Sequence, residues 1–108
     1  MEKELQNLYN TIISRKNAPA QGSYTGYLFI QGLDKILKKC GEECAETIIA
    51  AKNGDRAETI LEITDLLFHL NVLMAQMDIT PADIAEELAK RAKKTGNLKQ
   101  IRVTDKNS

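Results

Sequence analysis

Long hydrophobic runs and an excess of charge of one sign are both missing from this 108-residue chain. No apolar stretch approaches the roughly 20 residues that a membrane-spanning helix needs. The fifteen basic and fifteen acidic residues cancel, so the total charge favours neither nucleic acid nor a membrane surface as a partner. The charged N-terminus, Met1 to Glu4, lacks the apolar core of a signal peptide. We therefore expect a soluble, cytoplasmic protein.

Cysteine is scarce as well. The chain has two, Cys40 and Cys44, which are one helical turn apart. Both fall on the apolar side of a predicted helix, and this favours buried free thiols over a disulfide or a metal site.

An alternating strand pattern is also absent, and apolar residues recur instead at helical spacing. The spacing predicts five helices, over about residues 2–15, 24–30, 33–52, 55–77 and 80–96. Asn53-Gly54 is a typical helix stop. Asp55, with Glu58 three residues later, resembles the start of the next helix. Thr80, followed by proline, predicts the last helix start.

The length and the helical pattern together define the fold class. A chain of 108 residues has room for one domain. We expect a single domain over residues 1–108, with a frayed tail from about 97 to 108 and solvated basic side chains from Lys90 onward. The predicted class is all-α, with the helices arranged as an antiparallel bundle.

Two acidic clusters lie within the predicted helices: Glu-Glu-Cys-Ala-Glu at residues 42–46 and Glu-Ile-Thr-Asp at residues 62–65. Carboxylates three residues apart on a helix point to nearly the same side. Two such helices packed antiparallel could bring four carboxylates together, where they would raise one another's pKa. A divalent cation would resolve that conflict, and carboxylate-held Mg²⁺ is a common way to handle phosphates. The alternative is ordinary surface charge.

Helical geometry separates the members of the first cluster. At 100° per residue, Glu43 lies at the edge of the apolar stripe of its helix, and Glu46 lies about 60° beyond it. Glu42 projects farthest from the apolar side. Glu43 and Glu46 are therefore the better candidates to point inward.

In the helix predicted over residues 55–77, the acids of the second cluster lie on a narrow polar strip between two apolar faces. The strip consists of Glu58, Glu62, Asp65, His69 and Gln76. A helix that is apolar on both flanks is largely buried, so charge in the strip is costly unless it is paired or metal-bound. His69 could support a neighbouring ligand or relay a proton, but the favoured interpretation is that it pairs with the acid one turn earlier, Asp65.

The pattern Glu42-Glu43-x-x-Glu46, followed by Glu62-x-x-Asp65, resembles the signature of the all-α nucleotide pyrophosphohydrolases of the MazG type. Four further stretches resemble the phosphoribosyl-ATP pyrophosphohydrolase family more closely, namely residues 22–29, 35–43, 50–55 and 65–70. The resemblance covers about residues 4–100. It implies a MazG-like bundle assembled as a homodimer. It also implies Mg²⁺-dependent hydrolysis of phosphoribosyl-ATP to phosphoribosyl-AMP and pyrophosphate, the second step of histidine biosynthesis.

The same resemblance implies roles for individual residues. The implied metal ligands are Glu43, Glu46, Glu62 and Asp65, with Glu42 assisting. Glu62 is either a ligand or the base that positions the attacking water, so Glu62 and Glu42 are the predicted catalytic residues. Lys39, one turn before Glu43, is the predicted phosphate contact. Tyr24 and Thr25 are predicted to bind the ribose-phosphate end of the nucleotide.

Two other functions fit the same residues. One is a general house-cleaning (d)NTP pyrophosphatase that uses the same metal site. The other is a non-enzymatic helical interaction module in which the acids are surface charge. In either case, the broad apolar surfaces of the helix over residues 55–77 need more cover than a small monomer offers, and this also predicts a homodimer.

Overall fold

The computed structural model describes residues 1–18 and 22–94. Within them the chain forms five α-helices: α1 (Glu2–Asn17), α2 (Tyr24–Gln31), α3 (Leu33–Lys52), α4 (Arg56–Gln76) and α5 (Pro81–Ala92). The predicted all-α class is therefore confirmed. The last helix ends at Ala92, four residues before the predicted end near residue 96. The tail expected over residues 97–108 lies outside the described residues.

The helices α3 and α4 form a long antiparallel hairpin and pack against each other more extensively than any other pair. The predicted stop between them is confirmed, because Gly54 adopts a left-handed φ of 71° directly after Asn53. Asp55 then caps the start of α4, and its carboxylate accepts a hydrogen bond from the backbone N–H of Glu58 at 3.0 Å. The short turn places the acidic stretches of α3 and α4 side by side.

Near the start of α3 and the end of α4, the hairpin is covered by α1 and α2. The largest fully buried side chains come one from each of the first four helices: Ile12, Leu28, Ile36 and Val72. We call this part of the hairpin the covered half (about residues 33–40 and 68–76). The hydrophobic core of the described residues lies between this half and the helices α1 and α2.

The other end of the hairpin, which we call the open half (about residues 44–52 and 56–63), has no such cover. Ile48 is 64% exposed and Leu61 is 59% exposed. The expectation that the helix carrying the polar strip is largely buried is therefore wrong for the first half of α4 within one chain. The expectation of two buried thiols is wrong for Cys44, which is exposed, whereas Cys40 is half-buried. Both corrections have one cause, since α1 and α2 reach only the covered half.

A lysine joins the last turn of α1 to the end of α4. The Lys16 ammonium donates a hydrogen bond of 2.7 Å to the backbone carbonyl of Ala75 and lies 3.6 Å from the Asp78 carboxylate. The last carbonyls of a helix lack intrahelical donors and carry partial negative charge. The Ala75 carbonyl also accepts from the backbone N–H of Asp78 at 3.3 Å, so Lys16 adds a shorter, charged donor and fixes α1 against the covered half.

The helix α5 packs on α1. Its start is closed by a reciprocal pair of hydrogen bonds between Thr80 and Asp83, and Pro81 occupies the first helical position, as predicted. The chain bends by 107° between α4 and α5. Among the described residues, no single helix is long and apolar enough to cross a membrane; this bent pair would qualify by length and composition alone.

Candidate active site

Three of the four predicted metal ligands converge between α3 and α4, where the covered and open halves meet. Glu43 projects from α3, and Glu62 and Asp65 project from α4. One carboxylate oxygen of each lies within 4.8 Å of the other two. The three-residue spacing in α4 places Glu62 and Asp65 on one side of that helix, and Glu43 faces them across the hairpin. We call these three residues the carboxylate cluster.

The carboxylate cluster is short of hydrogen-bond donors. Glu43 is 7% exposed, although its side chain is ionisable. With the carboxylates ionised, Oε2 of Glu43 and Oε2 of Glu62 are shielded from solvent and find no donor in the part of the chain that the structure describes. Leaving such oxygens unpaired is costly. Hard oxygen ligands in this number and arrangement fit Mg²⁺, which takes one or two protein carboxylates together with phosphate oxygens.

Glu46, the fourth predicted ligand, meets Glu62 from the side of the open half. A hydrogen bond between the protonated Glu62 carboxyl and Glu46 is the main reason why the pKa of Glu62 is raised to about 8. Burial and a hydrogen bond with Glu58 add to the rise. Glu46 itself is exposed and lies outside the group of three converging oxygens. It therefore borders the carboxylate cluster through Glu62.

Glu58 is a site residue that sequence reasoning missed. Its position on the polar strip of α4 and three residues after Asp55 predicts a place in the first turn of the helix and no role at the site. Its backbone N–H donates to the Asp55 carboxylate, while its carboxyl group is one of those that raise the pKa of Glu62. The signal was present, because Glu58 precedes Glu62 by one turn on the same strip.

A cleft continues from the carboxylate cluster into the open half. It has a volume of about 220 Å³ and is lined by Glu46, Glu58 and Glu62, together with residues around the α3–α4 turn. Since carboxylates form much of its wall, an unaccompanied phosphate would be repelled there. A cation at the carboxylate cluster would reverse that local preference.

Lys39 lies on the opposite side of the carboxylate cluster. Its ammonium is 3.1 Å from Oε2 of Glu42 and 3.8 Å from Oε1 of Glu43. The hydrogen bond with Glu42 raises the pKa of Lys39, and the same bond lowers the pKa of Glu42. Glu42 therefore stays ionised beside Lys39, outside the three converging carboxylates. A positive charge next to the cluster suits contact with a phosphate.

Tyr24, at the first position of α2, reaches α4 through His69. The Tyr24 hydroxyl lies 2.8 Å from Nε2 of His69, and Nδ1 of His69 lies 2.8 Å from the backbone carbonyl oxygen of Asp65. The expectation that His69 pairs with the Asp65 carboxylate is therefore wrong. One helical turn places Nδ1 against the carbonyl, and Tyr24 occupies the other ring nitrogen. Thr25, the next residue, is half-buried in the first turn of α2.

The fold and the site together define an all-α protein with an acidic, cation-compatible site between two antiparallel helices and a lysine beside it. The comparison with protein families assigns the chain to a named family. The sequence model of the family described as phosphoribosyl-ATP pyrophosphohydrolase matches residues 5–92. The chain belongs to this family and is a hydrolase.

Individual relatives agree with the family match. A protein of Clostridium botulinum (strain Hall) named phosphoribosyl-ATP pyrophosphatase is 54% identical over 100 residues, which cover 93% of this chain and 91% of the relative. One of Bacillus cytotoxicus with the same name is 45% identical over 105 residues, covering 97% and 98%. The histidine biosynthesis bifunctional protein HisIE of Thermoanaerobacter pseudethanolicus is 56% identical over 85 residues, covering 79% of this chain and 39% of that protein.

Proposed function

We propose that this protein hydrolyses phosphoribosyl-ATP to phosphoribosyl-AMP and pyrophosphate in histidine biosynthesis, with Mg²⁺ as its cofactor. The observation that carries the proposal is the convergence of Glu43, Glu62 and Asp65 within 4.8 Å in a chain of this family. The relatives named for phosphoribosyl-ATP favour this substrate over the (d)NTPs of a general house-cleaning enzyme.

The residues that would hold Mg²⁺ are the carboxylate cluster, with Glu46 as a further ligand. The donor-free oxygens of Glu43 and Glu62 support this assignment, as does the pKa of Glu62, which the neighbouring carboxyl groups raise. When bound, Mg²⁺ supplies the positive charge that neutralises phosphate oxygens during cleavage.

The protein's own side chains have three tasks in the reaction. Cleavage between the α- and β-phosphates adds water across the anhydride, so a water must be held in line with the leaving pyrophosphate. We assign the orientation of that water and the removal of its proton to Glu62, through the carboxylate oxygen that does not hold the metal, with Glu42 assisting. Lys39 contacts the phosphates from the other side of the cluster. Tyr24 and Thr25 bind the ribose-phosphate end.

We further propose that the working unit is a cytoplasmic homodimer whose ligand is a nucleotide, with no nucleic-acid or membrane partner. The exposed apolar side chains of the hairpin support the homodimer, above all Ile48, Ile49 and Leu61. Patches of this kind are typical of interfaces. A second copy would also cover the cleft that opens beside Glu46 and Glu58.

The direct test is a steady-state assay of purified protein with phosphoribosyl-ATP, with Mg²⁺ and with the metal removed by chelation. We expect pyrophosphate release that requires Mg²⁺, and a higher kcat/KM for phosphoribosyl-ATP than for any dNTP. A preference for dNTPs would contradict the substrate assignment. Equal rates with and without metal would contradict the cofactor assignment.

Single substitutions test the carboxylate cluster. Asp65→Asn and Glu43→Gln keep the side-chain shape and remove the charge. We expect each to lower kcat/KM by about 100-fold or more, as removal of one group that stabilises transition-state charge commonly does. Glu86→Gln, at an exposed position of α5, is the matched control and should retain wild-type activity. Wild-type activity in Asp65→Asn would end the proposal.

A further inference from the structure

We propose that His69 is a positioning residue that holds the Tyr24 hydroxyl beside Lys39, at the edge of the carboxylate cluster, for nucleotide binding. The inference rests on the proposed function, in which Tyr24 and Lys39 contact the substrate. It adds a residue that the acidic signature does not contain.

The hydrogen-bond directions follow from the chemistry of the three groups. The carbonyl oxygen of Asp65 can only accept, so Nδ1 of His69 carries the proton in the 2.8 Å contact between them. In the neutral ring, Nε2 then has a free lone pair and accepts from the Tyr24 hydroxyl, again at 2.8 Å. Asp65 thereby fixes the tautomer of His69, and His69 fixes the hydrogen of Tyr24.

The geometry also explains why Tyr24 needs to be held. Tyr24 begins the short helix α2 and is 46% exposed, so neighbouring rings cover only part of it. The His69 ring contacts Tyr24 edge-on with centroids 5.8 Å apart, and Phe68 stacks near it at 6.1 Å. The hydrogen bond to Nε2 selects one position of the hydroxyl within this aromatic group.

The position that this hydrogen bond selects for the Tyr24 hydroxyl is at the edge of the carboxylate cluster. Burial raises the pKa of Tyr24, and the nearby positive charge of Lys39 opposes that rise while the Glu43 carboxylate adds to it. Tyr24 therefore keeps its proton near neutral pH, and its hydroxyl is within the electrostatic influence of both groups. Because the hydroxyl hydrogen of Tyr24 is donated to His69, only the lone pairs of its oxygen remain available to other groups. It can accept from a sugar hydroxyl or from Lys39, but it cannot donate to a phosphate oxygen.

Two substitutions separate the two bonds of His69. Asn at position 69 has an amide that can reach the Asp65 carbonyl but is too short for Tyr24, whereas Gln carries an acceptor near the place of Nε2. We expect Tyr24→Phe and His69→Asn each to raise KM for phosphoribosyl-ATP about 3- to 10-fold, the range that one hydrogen bond corresponds to. The value of kcat and the half-saturating Mg²⁺ concentration should stay at their wild-type values, because the carboxylates are untouched.

The decisive measurement is the double variant Tyr24→Phe/His69→Asn. If His69 acts only through Tyr24, the KM of the double variant equals that of Tyr24→Phe, and His69→Gln has a lower KM than His69→Asn. Tyr27→Phe is the matched control, because the Tyr27 hydroxyl makes no hydrogen bond within the described part of the chain. Its KM should be that of the wild type.

Several results would overturn the inference while leaving the proposed function intact. These are wild-type KM in both single variants, multiplicative effects in the double variant, or an equal rise in KM for Tyr27→Phe. A shift in Mg²⁺ dependence would instead show that His69 acts through Asp65. An inactive wild-type protein would refute the proposed function itself.

Discussion

The covered and open halves of the α3–α4 hairpin are built from the same two helices and from similar apolar residues, but they differ in exposure. Ile36 and Val72 in the covered half are fully buried, whereas Ile48 and Leu61 in the open half are more than half exposed. The difference arises from α1 and α2, which reach only one end of the hairpin. Burial within the chain is therefore decided by neighbouring helices, and apolar composition alone does not predict it.

The carboxylate cluster lies where the two halves meet. On one side it adjoins the packed core through His69 and Lys39, and on the other it opens into the cleft beside Glu46 and Glu58. The three carboxylates are thus anchored on helices, while the far side of the site stays accessible until something covers the open half. If the proposed homodimer forms there, substrate binding and assembly depend on the same surface.

The largest expected effect comes from placing charge in the open half. Ile48→Asp would bury two unpaired carboxylates in a symmetric interface, one from each subunit, at a cost of several kcal/mol. We expect light scattering with size exclusion to show a dimer for the wild type and a monomer for the variant. Lys90→Asp, an exposed position on α5, should leave the mass unchanged. A stable wild-type monomer would remove the distinction between an exposed and a partner-covered half.

A substitution that makes a cavity in the covered half tests whether that half is tightly packed. Ile36→Ala removes a fully buried side chain and should lower the free energy of unfolding by about 2–5 kcal/mol, because the surrounding helices cannot fill the space. Ile36→Val should cost about 0.5–1.5 kcal/mol. Urea denaturation followed by circular dichroism measures both. An Ile36→Ala effect as small as that of Ile36→Val would mean that this half repacks freely.

The stability of the metal-free protein should depend on pH through Glu62, which lies where the covered and open halves meet. The folded chain holds the pKa of Glu62 at about 8, above its ordinary value of 4.5. Between these values the unfolded chain has lost the proton that the folded chain keeps, so metal-free stability should fall as pH rises from about 5 to about 8 and level off above that. Melting temperatures measured in a chelating buffer check this.

Two comparisons make the pH experiment specific. Glu62→Gln cannot ionise, so its melting temperature should change less between pH 5 and pH 8. Mg²⁺ favours the ionised carboxylates and should reverse the fall in the wild type. A melting temperature that rises steadily over this range in the metal-free wild type would contradict the assignment of Glu62.

The smallest effect is expected at the turn that closes the open half. Gly54 has a φ of 71°, and a side chain in this left-handed region costs about 1–2 kcal/mol. Gly54→Ala should therefore lower the denaturation midpoint modestly, with no change in oligomeric state. Asn53→Ala is a suitable control, since Asn53 has ordinary right-handed helical angles.

Much of the fold could be predicted from local signals. The Asp55 cap, the Gly54 stop and the Thr80-Pro81 start are read from neighbouring residues, and all three are confirmed. The convergence of Glu43 with Glu62 and Asp65 was also foreseen, because a short turn between two helices leaves little choice of register. Periodicity predicts which face of a helix is apolar, and the short turn predicts which helix packs beside it.

Other features depend on contacts between distant segments and could not be predicted. The bond between Tyr24 and His69 joins residues 45 positions apart, and no local pattern encodes it. The exposure of Cys44 and of the first half of α4 depends on where α1 and α2 end. Helical spacing predicts which face of each helix is apolar, but it does not specify whether the same chain or a second copy covers that face.

The bond from Lys16 to the Ala75 carbonyl has a consequence for local unfolding. Since the ammonium ties the end of α4 to the last turn of α1, α1 cannot move away without breaking this bond, and the carbonyl then keeps only the longer one from the Asp78 backbone N–H at 3.3 Å. The two segments should therefore open as one cooperative unit, and their backbone amides should exchange hydrogen with solvent at matching rates. The first and the fourth helices, although far apart along the chain, would then unfold locally together.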